Sequence, residues 1–386
     1  MWAYSSINCA NHHLTIRLND DHASNILRSQ KVRQATVYID REALQYNLNR
    51  VKQLAPTAQI LSMVKANAYG HGVKDCLTAL SETDAFGVAC LEEALEIRQL
   101  GDQHPITLIE GVFSIDEMQL AIEHNVECMV HHQQQLDWLY AHQQQYIAQN
   151  LKVWVKLNSG MNRIGFKISE IIEVIQKLKA SGFTCVLTMH FANADVENHL
   201  LNEQQKNQFL AVKQACAPIL ASCCNSAALY QWPELNFDFV RPGIMLYGAS
   251  PFADRTAADL DLKPVMTFTA EIMALNQIGV GEHVGYGSTF TAQKDTELAI
   301  VSIGYGDGYP RAFIDQNYVV INGKQRPIIG RVAMDMIAVD VTGLNAGIGT
   351  EVELWGKQRL VDDVAKANAT IGYELLCRLS ARPKRK

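Results

Sequence analysis

The feature that most constrains this chain is a regular alternation of strand-length apolar runs with helical patterns. Strand cores fall at Ile60–Val64, Ala85–Cys90, Ile106–Ile109, Glu127–Val130, Lys152–Leu157, Phe183–His190, Ile219–Cys224 and Phe237–Val240. They are rich in Val, Ile, Leu, Phe and Cys without strict alternation, as expected of strands buried on both faces and hence parallel. A helix from Asp40 to about Leu54 precedes them. Leu91–Leu100 ends at Gly101, and Ser114-Ile-Asp-Glu117 is a capping box opening a helix to about His124. Gln135–Tyr146, Ser169–Ala180 (capped by its serine) and Asn202–Cys216 follow. Eight parallel strands with helices between them predict a (β/α)8 TIM barrel, an α/β architecture, over residues 35–264.

After Pro264 the texture changes. Val265–Ile278, Glu297–Gly304, Tyr318–Ile321, Ile328–Val341 and Thr350–Trp355 are strand-like, and Val361–Ala369 reads as a short helix. Val319-Val-Ile-Asn322-Gly323 predicts a hairpin with an Asn-Gly turn. Residues 265–386 therefore read as a mostly-β second domain, consistent with a length of 386 residues that exceeds one ordinary core. Residues 35–40 read as a strand that could pair with either domain. Residues 1–34 show no periodicity and no signal-peptide core, and read as an N-terminal extension or disordered arm.

Composition excludes several classes. A formal charge of −6 argues against a nucleic-acid partner, and no stretch is long and apolar enough to span a membrane. Arg382-Pro-Lys-Arg-Lys386 reads as a solvated basic tail, and the glutamines of 133–135 and 143–145 as solvated faces of one helix. Nine cysteines, odd in number and without a C-x-x-C pair, fit a reducing, cytoplasmic setting. His131, His132 and His142 lack a metal-ligand pattern, and Cys223-Cys224 reads as strand core, so no metal is expected.

Barrels carry their chemistry at the C-terminal ends of the strands. Lys65 ends the first strand in Lys65-Ala-Asn-Ala-Tyr69-Gly-His-Gly72. A lysine carried out of a barrel core at a strand end is expected to be held in one place and partly desolvated, which suits an amine that condenses with an aldehyde, as in attachment of pyridoxal 5′-phosphate (PLP). Arg163 follows strand five in Lys156-Leu-Asn158-Ser-Gly-Met-Asn-Arg163. His190 ends strand six, Asn225-Ser226 follows strand seven, and Arg241-Pro-Gly243-Ile244 follows strand eight. Loops after strands seven and eight are where barrels commonly hold phosphate.

These segments, with Gly285-Tyr286-Gly287, Gly330-Arg-Val-Ala-Met334-Asp335 and Thr370-Ile-Gly-Tyr373-Glu, resemble the motifs of alanine racemases, in the same order across residues 35–380. The resemblance implies a PLP-dependent isomerase that interconverts L- and D-alanine for peptidoglycan or alanine catabolism. A serine or broad-specificity racemase of the same fold is the alternative. It implies that Lys65 attaches the cofactor and that Tyr69, Ser226, Gly243, Ile244 and Tyr373 hold its phosphate, with Asn225 beside them. His190 would flank the ring and Arg241 would bond its nitrogen. Arg163 would touch the phenolic oxygen and the substrate carboxylate, which Met334 and Asp335 would also help hold. Lys65 and Tyr286 would be two bases on opposite faces, with Tyr286 and Met334 supplied by the partner in a homodimer. Lys156 is carbamylated in some relatives. Asn158 and Ser222 depart from the Asp and His that stand there in many or some of them.

Overall fold

The computed structural model describes residues 35–311 and 317–386. The expectation for residues 1–34 lies outside them. Eight strands form one parallel sheet: β2 Gln59–Met63, β3 Ala85–Val88, β4 Ile106–Leu108, β5 Val126–Val130, β6 Lys152–Lys156, β7 Thr184–Thr188, β8 Leu220–Ser222 and β9 Phe239–Val240. They run in the order β8-β7-β6-β5-β4-β3-β2-β9. Ladder closure between β8 and β9 comes just past their ends, where Asn225 bridges Arg241 and the Arg241 N–H donates to Cys224 O at 2.9 Å. Every residue of β3, β4 and β5 is buried, which is why these runs carry no polar alternation. The helix Ile168–Ala180 shows the complementary pattern, burying Ile171, Ile175 and Leu178 along one stripe.

The strand β1, Thr36–Ile39, precedes the barrel but does not join it. It pairs antiparallel with β10, Met266–Ile278, in the second sheet. That sheet also contains β13 Thr296–Val301, β14 Tyr318–Ile321, β15 Lys324–Ile329, β16 Ile337–Asp340, β17 Glu351–Trp355 and β18 Lys384–Arg385. The thirteen-residue β10 serves several neighbours, pairing β1 and β17 along its first part and β13 along its second. Asn322 and Gly323 turn the β14–β15 hairpin at φ of 50° and 72°, the conformation an Asn-Gly turn prefers. β11 (His283–Val284) and β12 (Phe290–Thr291) make a separate small ribbon.

Four local expectations need correction. The run Ile328–Val341 is two strands, broken by a turn at Gly330 with φ 70°. Ser169 lies inside the first turn of its helix; Lys167 precedes the helix, and its N–H is accepted by the Glu170 carboxylate. The glutamine-rich segment is two helices divided at His142, and Gln135 is buried, donating to the carbonyls of Glu110 and Val112. Finally, residues 382–386 are not a solvated tail. Lys384–Arg385 form β18, parallel to β1, and Pro383 is buried. Charge alone misleads here because the segment is held by its backbone, not by apolar side chains.

Candidate active site

Lys65 opens an unusual backbone segment. Ala66, Asn67, Ala68 and Tyr69 all have φ between 51° and 53°, a turn of left-handed helix built without glycine. Such a conformation costs about 1–2 kcal/mol per residue, so the surroundings must impose it. The Glu93 carboxylate accepts from Ala66 N at 2.6 Å and from Ala89 N at 2.8 Å, tying the turn to the next strand's exit. Asn67 Oδ1 accepts from Val73 N at 2.8 Å. His71 Nδ1 lies 3.1 and 2.9 Å from the carbonyl oxygens of Ala68 and Tyr69. Gly70, at φ +79°, packs so closely that a Cβ would sit 2.0 Å from Leu376 O.

Lys65 faces a cavity of about 540 Å3 at the C-terminal mouth of the barrel. Tyr69, Lys156, Arg163, His190, Asn225, Ser226, Arg241, Gly243, Ile244 and Tyr373 line the same cavity. Residues separated by some three hundred positions thus meet because each ends or follows a strand or belongs to the helix Gly372–Cys377 that packs on the Lys65 turn.

The cavity floor is cationic. Lys156 is buried, and its amine is pushed well below the ordinary lysine range, first by burial and then by Arg241, Arg163 and Lys65. Burial and the same cluster of cations hold the His190 imidazole well below its usual value, so it stays neutral. Arg241 is fixed from behind: Nη1 donates to Ser222 Oγ at 2.5 Å and Nη2 to Met189 O at 2.6 Å. Ser222 in turn donates to Phe239 O at 2.9 Å. Asn225 caps the helix Ser226–Gln231 through Ala228 N at 3.0 Å, and its amide nitrogen lies 3.4 Å from His190 Nε2.

A corner of neutral polar groups faces these cations. Gly243 N donates to Ser226 Oγ at 2.9 Å, and a Cβ on Gly243 would lie 2.5 Å from Tyr69 Oη. Tyr69 stacks on Tyr247 with ring centroids 4.9 Å apart. Burial is the main cause that raises both the Tyr69 and Tyr373 phenols, which therefore keep their protons. Arg163 is exposed near the tip of a loop whose ends are pinned: Phe166 N donates to Lys156 O at 2.8 Å and Asn158 N to Phe166 O at 3.0 Å. Asn158 Oδ1 accepts from the amides of Gly160 and Asn162 inside that loop, a role a carboxylate would also fill.

Three expected site residues lie elsewhere. Tyr286 projects from the β11–β12 turn and is 72% exposed. Met334 is 49% exposed on the loop between β15 and β16, and Asp335 pairs with Arg382 at 2.7 Å. None of them lines the cavity around Lys65. That loop rests on another, with Tyr305 N donating to Ala333 O and Gly306 N to Met334 O at 2.8 Å.

The cavity also includes residues that reading the sequence missed, among them Met63, Ile109, Met129, His131 and Cys377. The strand-end rule could have found Ile109 and His131, which directly follow β4 and β5. Cys377 stands four residues after Tyr373, on the same helical face. Among the described residues no group of three or more His, Cys, Asp or Glu side chains is arranged to hold a metal ion.

Fold and site together define a (β/α)8-barrel protein whose strand-end lysine opens into a cation-lined cavity with a hydroxyl-bearing corner. Models of the alanine racemase N-terminal and C-terminal domains match residues 39–251 and 265–386. The alanine racemase of Psychrobacter sp. (strain PRwf-1) is 46% identical over 371 residues, spanning 92% of this chain and 99% of that protein. The structure of alanine racemase from Acinetobacter baumannii superposes with a TM-score of 0.91 at 74% identity, covering 92% of this chain and 99% of that one. Alanine racemase from Bartonella henselae with covalently bound pyridoxal phosphate gives a TM-score of 0.82 at 28% identity, covering 92% and 99%. The chain belongs to the alanine racemase family, whose members are isomerases.

Proposed function

We propose that this protein interconverts L- and D-alanine in the cytoplasm with PLP as cofactor, supplying D-alanine for peptidoglycan or serving alanine catabolism. The observation that carries the reading is the meeting of the Lys65 amine, the Arg241 guanidinium and the Ser226–Gly243–Tyr69 corner in one cavity. A flat, anionic aldehyde fits such a site: an amine to bind it, neutral donors for its phosphate, and cations along its length. The relatives' names favour alanine over serine or a broad substrate range, which a panel of amino acids would test.

PLP, when bound, supplies an electron sink that makes the α-proton of an attached amino acid removable. The chain's own residues do the rest. Ser226 and Tyr69, with Gly243, Ile244 and Tyr373, would hold the phosphate end, and Asn225 fixes that corner. The neutral His190 would flank the ring, while Arg241, locked by Ser222 and Met189, would point at the ring nitrogen. A guanidinium keeps its proton, so Arg241 orients the ring without protonating it. Arg163 would receive the substrate carboxylate. Lys156 is the residue we assign to carbamylation: its neutral amine would add to CO2 with release of one proton, and the resulting anion would offset Arg163 and Arg241.

Racemisation needs a proton moved on each face of the α-carbon. Lys65 Nζ serves one face. Tyr286 Oη would serve the other from a partner subunit, together with the Met334 N–H and Asp335. The exposure of Tyr286, Met334, Met336 and Tyr305 supports such a homodimer. The test is to mix separately inactive Lys65→Ala and Tyr286→Phe proteins after partial denaturation and refolding. Shared sites would restore roughly a quarter of wild-type racemisation, because half of randomly paired dimers are mixed and each has one intact site of two. No recovery, with mixed dimers shown to form, would break the shared-site reading.

A further inference from the structure

We propose that Arg385, on β18, is a positioning residue for Lys65 and Tyr69, clamping the left-handed turn from the second sheet. The inference rests on the reading of Lys65 as the cofactor-bearing amine. Arg385 donates from Nε at 3.2 Å and from Nη2 at 3.0 Å to the carbonyl oxygen of Gly70, directly after the turn. Its aliphatic stem passes over Gly72, where a Cβ would lie 3.6 Å from Arg385 Cδ.

The clamp is anchored at both ends. On the sheet side, Lys384 N donates to Ala35 O and Lys386 N to Val37 O, both at 2.9 Å, and Ile39 N donates to Lys386 O at 3.0 Å. These bonds are backbone bonds, so they fix Arg385 whatever its side chain does. On the turn side, Gly70 is wedged against Leu376 O on the helix that carries Tyr373. His71, the next residue, bonds back to Ala68 and Tyr69 and packs on Tyr247, with ring centroids 4.6 Å apart. A carbonyl leaving a left-handed turn has no continuing helix to supply its N–H donor. The planar arginine fork supplies two donors to that one oxygen in a fixed orientation, which an ammonium does not reproduce. Four residues held at positive φ will relax if a restraint goes; Lys65 directly precedes that segment and Tyr69 ends it.

The experiment uses the full-length protein, cofactor-free and PLP-loaded, as wild type, Arg385→Ala, Arg385→Lys and Lys384→Ala. Hydrogen exchange is read on peptides covering 64–72 and 36–39, alongside PLP retention on dialysis, kcat and KM. In Arg385→Ala, exchange over 64–72 should rise about tenfold while 36–39 stays protected, since local opening is set by local restraints. PLP should dissociate faster, and kcat should fall about tenfold with the alanine KM within about twofold, because orientation and not substrate binding is lost. Arg385→Lys should recover part of each effect, and Lys384→Ala, an exposed neighbour on the same strand, should match wild type. Unchanged exchange over 64–72 in Arg385→Ala would overturn the proposal. So would an equal rise over 36–39, which would mean loss of the strand, or an equal effect of Lys384→Ala. The exchange arm on cofactor-free protein decides the clamp even if wild type proves not to racemise alanine, an outcome that would count against the proposed function alone.

Discussion

The Lys65 turn and the Tyr286 ribbon carry the two halves of the proposed proton-transfer pair, and they are built in opposite ways. The turn is strained, buried at Ala68 and Tyr69, and held by Glu93, Asn67, His71 and Arg385. The ribbon is two residues long on each side and rests on a small satellite cluster of Val284, Leu298 and Ile329. Its tyrosine stands in the open between Gly285 and Gly287, both near φ 70°. One reactive group is thus oriented by its own chain. The other, 72% exposed, would on the proposed reading be oriented by a partner subunit. A site divided in this way would be complete only in the assembly, so association itself would control activity.

The sharpest way to break this contrast is Tyr286→Phe. Removing the phenol while keeping the ring should lower racemisation by roughly 10^2–10^4-fold, the usual worth of a positioned acid or base. PLP should stay bound. In deuterated water, Cα exchange should persist for one alanine enantiomer and collapse for the other; equal loss for both would contradict the assignment of opposite faces.

A second prediction concerns the rigid half alone. Burial takes the His71 imidazole from 6.5 down to about 4, so the folded protein excludes a proton that the unfolded chain accepts. Stability from this group is therefore complete above pH 6.5 and declines as pH falls toward about 4. The full difference is on the order of 3 kcal/mol. Urea midpoints followed from about pH 7 to about pH 4 should drop more steeply in wild type than in His71→Gln. Parallel slopes would show that His71 does not brace the turn as a neutral donor.

The smallest effect is expected from Gly243→Ala. The added methyl would lie 2.5 Å from Tyr69 Oη, inside the hydroxyl corner. Overpacking of this kind costs about 1–3 kcal/mol, so PLP affinity should weaken about tenfold to a hundredfold, with the second sheet unaffected. Equilibrium dialysis of the cofactor measures it. An unchanged affinity would mean that the corner is softer than the Lys65 turn beside it.

Much of this was legible before any coordinates. Barrel strands buried on both faces leave unbroken apolar runs, and their C-terminal ends locate Lys65, Arg163, His190, Ser226 and Arg241 without further information. The Asn322-Gly323 hairpin was equally plain. The left-handed turn was not, because Ala66, Ala68 and Tyr69 carry no local signal for positive φ and a lone Asn67 signals at most one such residue; tertiary restraints impose the run. Gln135 misled for a related reason: a glutamine looks solvated until a neighbouring loop, here the one after β4, presents carbonyls to it. The role of residues 384–385 was hidden because two residues joined to β1 by backbone bonds leave no periodic trace. Tyr286 was marked by motif alone, since no contact within its own chain brings it to the cavity.

The placement of β1 has a consequence for how the molecule is made. This strand is synthesised before the whole barrel, yet its two neighbours, β10 and β18, emerge only after the barrel is finished. During translation its edges are open, and the short segment leading into the first barrel helix must wait while every other layer assembles. A protein truncated before residue 384 would leave one edge of β1 unpaired and, on the proposed clamp, a loosened Lys65 turn.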